Sequence, residues 1–163
     1  MPFRAVAPAR MPAVATATPA RVDAAPRPHY HYERAMADYL LFAGRFFIAL
    51  MFVLSGINKF LFFRHGLEEV RAKNLPLPHL ALASTIVVQL FCGVAIMVGF
   101  QTELASVLLA VFTLATAIVF YDFWNQQGNQ RTLMLTGFLE HISIIGGFMI
   151  LIAAGPGRLV THG

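Results

Sequence analysis

Four apolar runs, each about as long as a bilayer core is thick, leave this chain few folds to choose from. They lie at Tyr39–Phe63, Leu80–Gly99, Leu104–Trp124 and Leu133–Ala154. About 20 helical residues cross ~30 Å of hydrocarbon. Inside lipid every backbone N–H and C=O must find a partner within the protein, which restricts spans to helices and closed barrels. None of the runs alternates with period 2, so helices are expected and barrel strands are not. The predicted fold is all-α, a four-transmembrane-helix antiparallel bundle that is multi-pass in the lipid bilayer.

Composition agrees with that architecture. The 163 residues are 58% hydrophobic and 12% charged, with a mean hydropathy of +0.67. Soluble domains average roughly 45–50% apolar and about 25% charged. The net charge is +4, but five arginines sit in the first 34 residues. In an apolar chain this is tail and membrane-surface charge, so no nucleic-acid partner is expected.

Residues 1–38 are rich in Ala, Pro and Arg and have no apolar core. They read as a disordered tail. No continuous apolar stretch follows the arginines, so a secretory signal is not expected. A start at Met36 is an alternative, in which case the tail is not translated. The membrane domain is read as 39–158, with 159–163 as a C-terminal tail.

The connections are short. Phe100–Glu103 forces the second and third helices into a hairpin, and Asn125–Thr132 is a polar link. Arg64–His79 is the longest loop, and its Gly-Leu-Glu-Glu-Val-Arg-Ala-Lys-Asn piece is predicted to form a short interfacial helix before Pro76 and Pro78. Both termini share one face, side A, and the opposite face is side B. The positive-inside rule is nearly balanced. Arginines crowding the first span favour termini inside. Small residues at Ser143-x-x-x-Gly147 and Thr113-x-x-x-Ala117, with Gly146-Gly147, are expected at helix seams.

Several polar residues interrupt the spans. At ~1.5 Å of rise per residue, Asn58 and Lys59 lie roughly 10–12 Å from the midplane towards side B, and Asp122 is at a similar height. Glu140 and His141 are about 5–6 Å from it on the same side. Gln89 is near the middle, and Arg45 lies in the side A half. An ionisable residue inside a span is costly and marks a candidate site. Ligand or proton-relay candidates are therefore Glu140, His141, Lys59, Asn58, Gln89, Asp122 and Arg45. Lys59–Glu140 is the expected ion pair, because a lone carboxylate that deep cannot reach water. Lys59, Asp122 and Arg45 can instead snorkel to the nearer surface.

Other chemistries are disfavoured. His141 alone of six histidines lies in a span, so one chain cannot supply two axial haem ligands, and no zinc-ligand spacing occurs. No metal is expected. The single cysteine, Cys92, excludes an intrachain disulfide and Cys-x-x-Cys chemistry. Phosphate loops, dinucleotide fingerprints and Ser–His–Asp sets are absent. A lipophilic carbonyl ligand such as a quinone needs only an apolar slot and one or two polar groups.

The first helix reads R-F-F-I-A-L-M-F-V-L-S-G-I-N-K-F, and the second and third read V-V-Q-L-F-C-G-V-A-I-M-V-G-F-Q-T-E-L-A and then F-Y-D-F-W. The fourth reads F-L-E-H-I-S-I-I-G-G-F-M-I-L-I-A-A-G-P-G-R. Together, over residues 39–158, these resemble the DoxX family of small four-helix membrane proteins. The family takes its name from a subunit of a thiosulfate:quinone oxidoreductase. The resemblance implies a bacterial inner-membrane protein that is a subunit of, or accessory to, a quinone-linked redox complex. It also implies a non-covalent quinone and redox-complex protein partners, with a homo-oligomer as a further expectation. The alternatives are a non-catalytic scaffold or assembly protein and, less favoured, a small transporter. Gln89 stands where relatives often have Glu, and Glu140-His141 where many have Lys-Asn. The family's polar roles are therefore not carried over residue by residue.

Overall fold

The computed structural model describes residues 28–159. Five helices follow in order: α1 Pro28–Leu61, α2 Phe63–Ala72, α3 Pro78–Val98, α4 Thr102–Phe120 and α5 Gly128–Ala154, with a 3₁₀ turn at Phe123–Asn125 between the last two. Four of these are long and apolar enough to cross a membrane. The all-α, four-span architecture is as expected.

The boundaries differ from the apolar runs in ways that matter. Helix α1 begins at Pro28, inside the stretch expected to be a disordered tail, and proline suits a first helical position because its missing N–H is not needed there. At 34 residues, α1 is about 51 Å long, so it projects past the hydrocarbon on side A. Residues 1–27 lie outside the described residues.

Helix α4 stops at Phe120, and the 3₁₀ turn carries the third span on to Asn125. Tyr121 leaves helical geometry with φ −111° and ψ 60°, because its ring is taken up by α5. Glycine at 137 makes room for it: a Cβ there would stand 2.1 Å from a Tyr121 ring carbon. Helix α5 starts earlier than its apolar run, at Gly128, whose φ of +58° suits a residue without Cβ.

Helix α1 packs chiefly on α3, α3 on α4, and α4 on α5, while the α1–α5 contact is slight. The tightest approach is between α1 and α3. A Cβ on Gly93 would come within 2.8 Å of Val53, and one on Gly56 within 2.9 Å of Leu90. Small residues therefore do bring helices together, but at a seam other than the one expected. A Cβ on Gly146 would meet no other helix within 4 Å, and one on Gly147 would meet only Ile48, at 3.0 Å. Thr113 and Ala117 are buried as anticipated.

Two apolar clusters hold the bundle. The main one joins Ala49, Phe52, Ile96, Leu109, Phe148 and Leu151. The second fastens α2 to the side B end of α3 through Leu67 and Val70 against Leu82 and Ile86. Helix α2 is the predicted interfacial helix: Gly66, Leu67 and Val70 face inward, while Arg64, Glu68, Glu69 and Arg71 are exposed. Phe62 bends the chain between α1 and α2, and Pro78, expected as a breaker, opens α3. At the α3–α4 turn Gly99 adopts φ 81°, and the Phe100 N–H returns to the Ala95 carbonyl at 2.9 Å. This is a glycine-dependent C-terminal cap.

Candidate functional site in the side B half of the bundle

All four spans and α2 contribute to one cavity. It has a volume of about 300 Å³ and is lined by Ser55 and Lys59 of α1, Glu69 of α2, Gln89 of α3, Thr113 and Thr116 of α4, Tyr121, and His141 of α5. Met51, Phe52, Phe112 and Phe120 complete the walls. The polar groups thus face each other across aromatic surface, within reach of the side B interface where α2 lies.

Lys59 projects inward because Phe52 and Gly56, on the same side of α1, are buried. Its Nζ donates to Ser55 Oγ at 2.7 Å, one turn back. An ammonium carries three donors, so two remain for a ligand. Across the cavity stands Glu69, whose carboxylate also meets His65 at 3.4 Å on the aqueous face of α2. Lys59 faces Glu69 over the cavity and is not paired to Glu140.

Gln89 is 6% exposed, and its carboxamide oxygen has no hydrogen-bond partner among the described residues. Orphaned buried acceptors carry a desolvation cost of about 1–3 kcal/mol. Replacing Gln89 with leucine, which is similar in length and apolar, is therefore expected to leave the detergent melting temperature unchanged or raise it. A marked drop would mean that Gln89 has a structural partner.

His141 is held in place by two contacts. Its Nδ1 donates to the Gly137 carbonyl at 2.8 Å, and its ring lies 4.6 Å from that of Tyr121. A carbonyl can only accept, so Nδ1 carries the proton and Nε2 of the neutral ring is an acceptor. Gly137 serves both contacts, since its missing Cβ admits Tyr121 and its carbonyl fixes His141. Thr113 and Thr116 spend their hydroxyl protons on the Leu109 and Phe112 carbonyls, which leaves oxygen lone pairs.

Of the seven candidates from the sequence, Lys59, Gln89 and His141 come together, and four do not join them. Glu140 is exposed on the outer flank of α5. One residue of helix turns about 100°, so a neighbour of an inward His141 cannot also face inward. Asn58 is exposed for the same reason beside Lys59. Asp122 binds Lys73 at 3.1 Å, which ties the end of α2 to the chain after α4. Arg45 does not snorkel. It is 2% exposed and donates to the carbonyls of Pro156, at 2.8 Å, and Leu159. It fastens the chain leaving α5 at the side A end, far from the cavity.

Sequence reasoning missed Glu69, Thr113, Thr116 and Tyr121 as lining residues. Glu69 precedes Val70 on an amphipathic helix, and docking that helix by its apolar face would have brought the carboxylate to the cavity rim. No pattern marked Tyr121, because its position follows from a helix break set by tertiary packing. Among the described residues, no three His, Cys, Asp or Glu gather as a metal site.

Comparison with known proteins accords with this architecture. The DoxX family model matches residues 40–122. The chain is 28% identical over 125 residues to inner membrane protein YphA of Escherichia coli, covering 77% of this chain and 89% of the relative. It is 27% identical over 124 residues to inner membrane protein YqjF of the same organism, covering 76% and 90%. It is 26% identical over 121 residues to the ER-derived vesicles protein ERV29 of Saccharomyces cerevisiae, covering 74% of this chain but 32% of that longer protein. No solved structure matches the chain. The four apolar spans and the two bacterial relatives make this a multi-pass protein of the bacterial inner membrane. The match extends over half of its length, and the chain belongs to the DoxX family.

Proposed function

We propose that the side B cavity binds the headgroup of a membrane quinone, and that the protein serves as a subunit of, or accessory to, a quinone-linked redox complex. The observation that carries this reading is the convergence of Lys59, Gln89 and His141 on one aromatic-walled cavity from three different spans. Ligand pockets are mostly apolar with a few placed polar groups and run from about 300 Å³ upward. A cavity of about 300 Å³ suits a ring-sized headgroup.

The donor and acceptor set fits both forms of such a ligand. Quinone carbonyls accept hydrogen bonds, which the free N–H bonds of Lys59 and the Gln89 amide can give. Quinol hydroxyls donate, and the Gln89 oxygen and His141 Nε2 can receive them. A bound quinone supplies two-electron, two-proton carrier chemistry. The residues of this chain bind and orient the ring, while Phe52, Phe112 and Phe120 keep bulk water from it.

Organic extraction of protein purified in mild detergent tests this reading. A quinone is expected in the extract at a sizeable fraction of one per chain, and it is expected to fall about tenfold in Lys59→Met. A tenfold change corresponds to about 1.4 kcal/mol, near the strength of one charge-assisted hydrogen bond. Wild-type extracts without quinone, together with no binding of added short-chain quinone, would sink the proposal. The scaffold alternative draws on a different observation, the outward carboxylate of Glu140.

A further inference from the structure

Glu140 lies seven residues inside the apolar run that begins at Leu133 and 14 from the end of α5, or about 10 Å and 21 Å along the axis. A glutamate side chain cannot reach water over such distances. The residue is exposed, and among the described residues it has no ion pair or hydrogen bond. An ionisable side chain facing lipid at this depth without a partner is costly, and such a residue marks a functional contact.

The surface around Glu140 is shaped to receive a helix. On the same flank of α5 lie Thr136, Ser143 and Gly147. Thr136 and Ser143 point outward while their hydroxyls bond back to the Thr132 and Leu139 carbonyls of their own helix. They offer small, satisfied surface that lets a second backbone approach. Towards side A this flank continues into an apolar groove of about 530 Å³ along the slight α1–α5 seam, with Gly44, Ile48, Gly147 and Ile150 in its walls.

We infer that a transmembrane helix of a different protein docks along this α1–α5 groove and brings a Lys or Arg to Glu140. Charge complementarity selects this occupant over a second copy. Within the four apolar runs the only Lys and Arg are Arg45 and Lys59. Arg45 is buried against the Pro156 and Leu159 carbonyls, and Lys59 faces the cavity. A second copy therefore offers Glu140 no cation at its depth. Lipid amines stay at the headgroup level and do not reach it either. The inference does not depend on quinone binding, since Glu140 lines no part of the cavity.

The test is photo-crosslinking in native membranes, with a benzophenone amino acid at Ser143 and a control at the exposed Ile118 of α4. The expected result is an adduct from position 143, absent from position 118, to a span of another protein that bears a Lys or Arg. Glu140→Lys should reduce that adduct at least tenfold, and changing the partner's Lys or Arg to Glu should restore it. The milder Glu140→Gln should reduce it as well, with an unchanged melting temperature showing that the fold is intact. Adducts only to lipid, adducts to a second copy of this chain, or a hetero-adduct unaffected by Glu140→Lys would each overturn the inference.

Discussion

Replacing Arg45 with methionine is expected to destabilise the bundle by about 2–4 kcal/mol, the cost of losing two part-buried hydrogen bonds from a charged donor. The guanidinium is almost fully buried and bridges the Pro156 and Leu159 carbonyls. Helix α5 ends at Ala154, and its C-terminus carries partial negative charge that a cation stabilises. The segment that follows turns back at Gly155 and Gly157, with φ 72° and 74°. It is also held by the Arg158 N–H, which donates to Asp38 at 3.2 Å. Without Arg45 only that exposed side-chain contact remains to hold this segment among the described residues. Arg45→Lys should restore little, because lysine's compact ammonium lacks the reach and planar fork with which the guanidinium spans the two carbonyls. Thermal melts in detergent would show the loss, with earlier proteolysis near residue 155 as a second sign. A melting temperature equal to wild type in Arg45→Met would mean that the C-terminal segment is fastened by other contacts.

The second large effect is expected from Gly137→Ala. Its new Cβ would stand 2.1 Å and 2.5 Å from two carbons of the Tyr121 ring, which neither rigid partner can accommodate. Overpacking of this kind costs typically about 1–3 kcal/mol, and here the ring is backed by His141 at 4.6 Å. Tyr121 should be driven out, releasing His141 and opening the cavity wall. Stability and ligand affinity are both expected to fall. Tyr121→Ala on the Gly137→Ala background should recover much of the stability while affinity stays low, because the clash is gone but the wall is not rebuilt. Simple addition of the two single losses would show that the residues do not share this contact.

The four spans were legible because apolar run length and backbone satisfaction leave no other solution in lipid. The amphipathic α2 was legible too, from Gly66, Leu67 and Val70 on one face and charge on the other. The site was only partly so. Depth along a helix can be counted from sequence, which put Lys59, Gln89 and His141 in the right neighbourhood. Azimuth cannot be read while the packing order of the helices is unknown. Glu140 and Asn58 have nearly the right height but the wrong direction, and depth alone suggested a Lys59–Glu140 pair that does not form. Lys59→Met and Glu140→Gln should accordingly have additive effects on stability, as expected for groups without contact. Arg45 was misjudged for another reason. Its partners are backbone carbonyls beyond a helix end, and carbonyls leave no trace in side-chain patterns. The same limit hid Tyr121, whose place depends on a missing Cβ sixteen residues later.

The central claim is that Lys59, Gln89 and His141 form a quinone-headgroup site in the side B half of the bundle. Calorimetric titration of purified protein with a short-chain quinone, comparing wild type, Gln89→Leu and Glu140→Gln, tests it most directly. The expected outcome is saturable binding by wild type, about tenfold weaker binding by Gln89→Leu at undiminished melting temperature, and wild-type affinity in Glu140→Gln. No saturable binding by wild type, or equal affinity in wild type and Gln89→Leu, would contradict it.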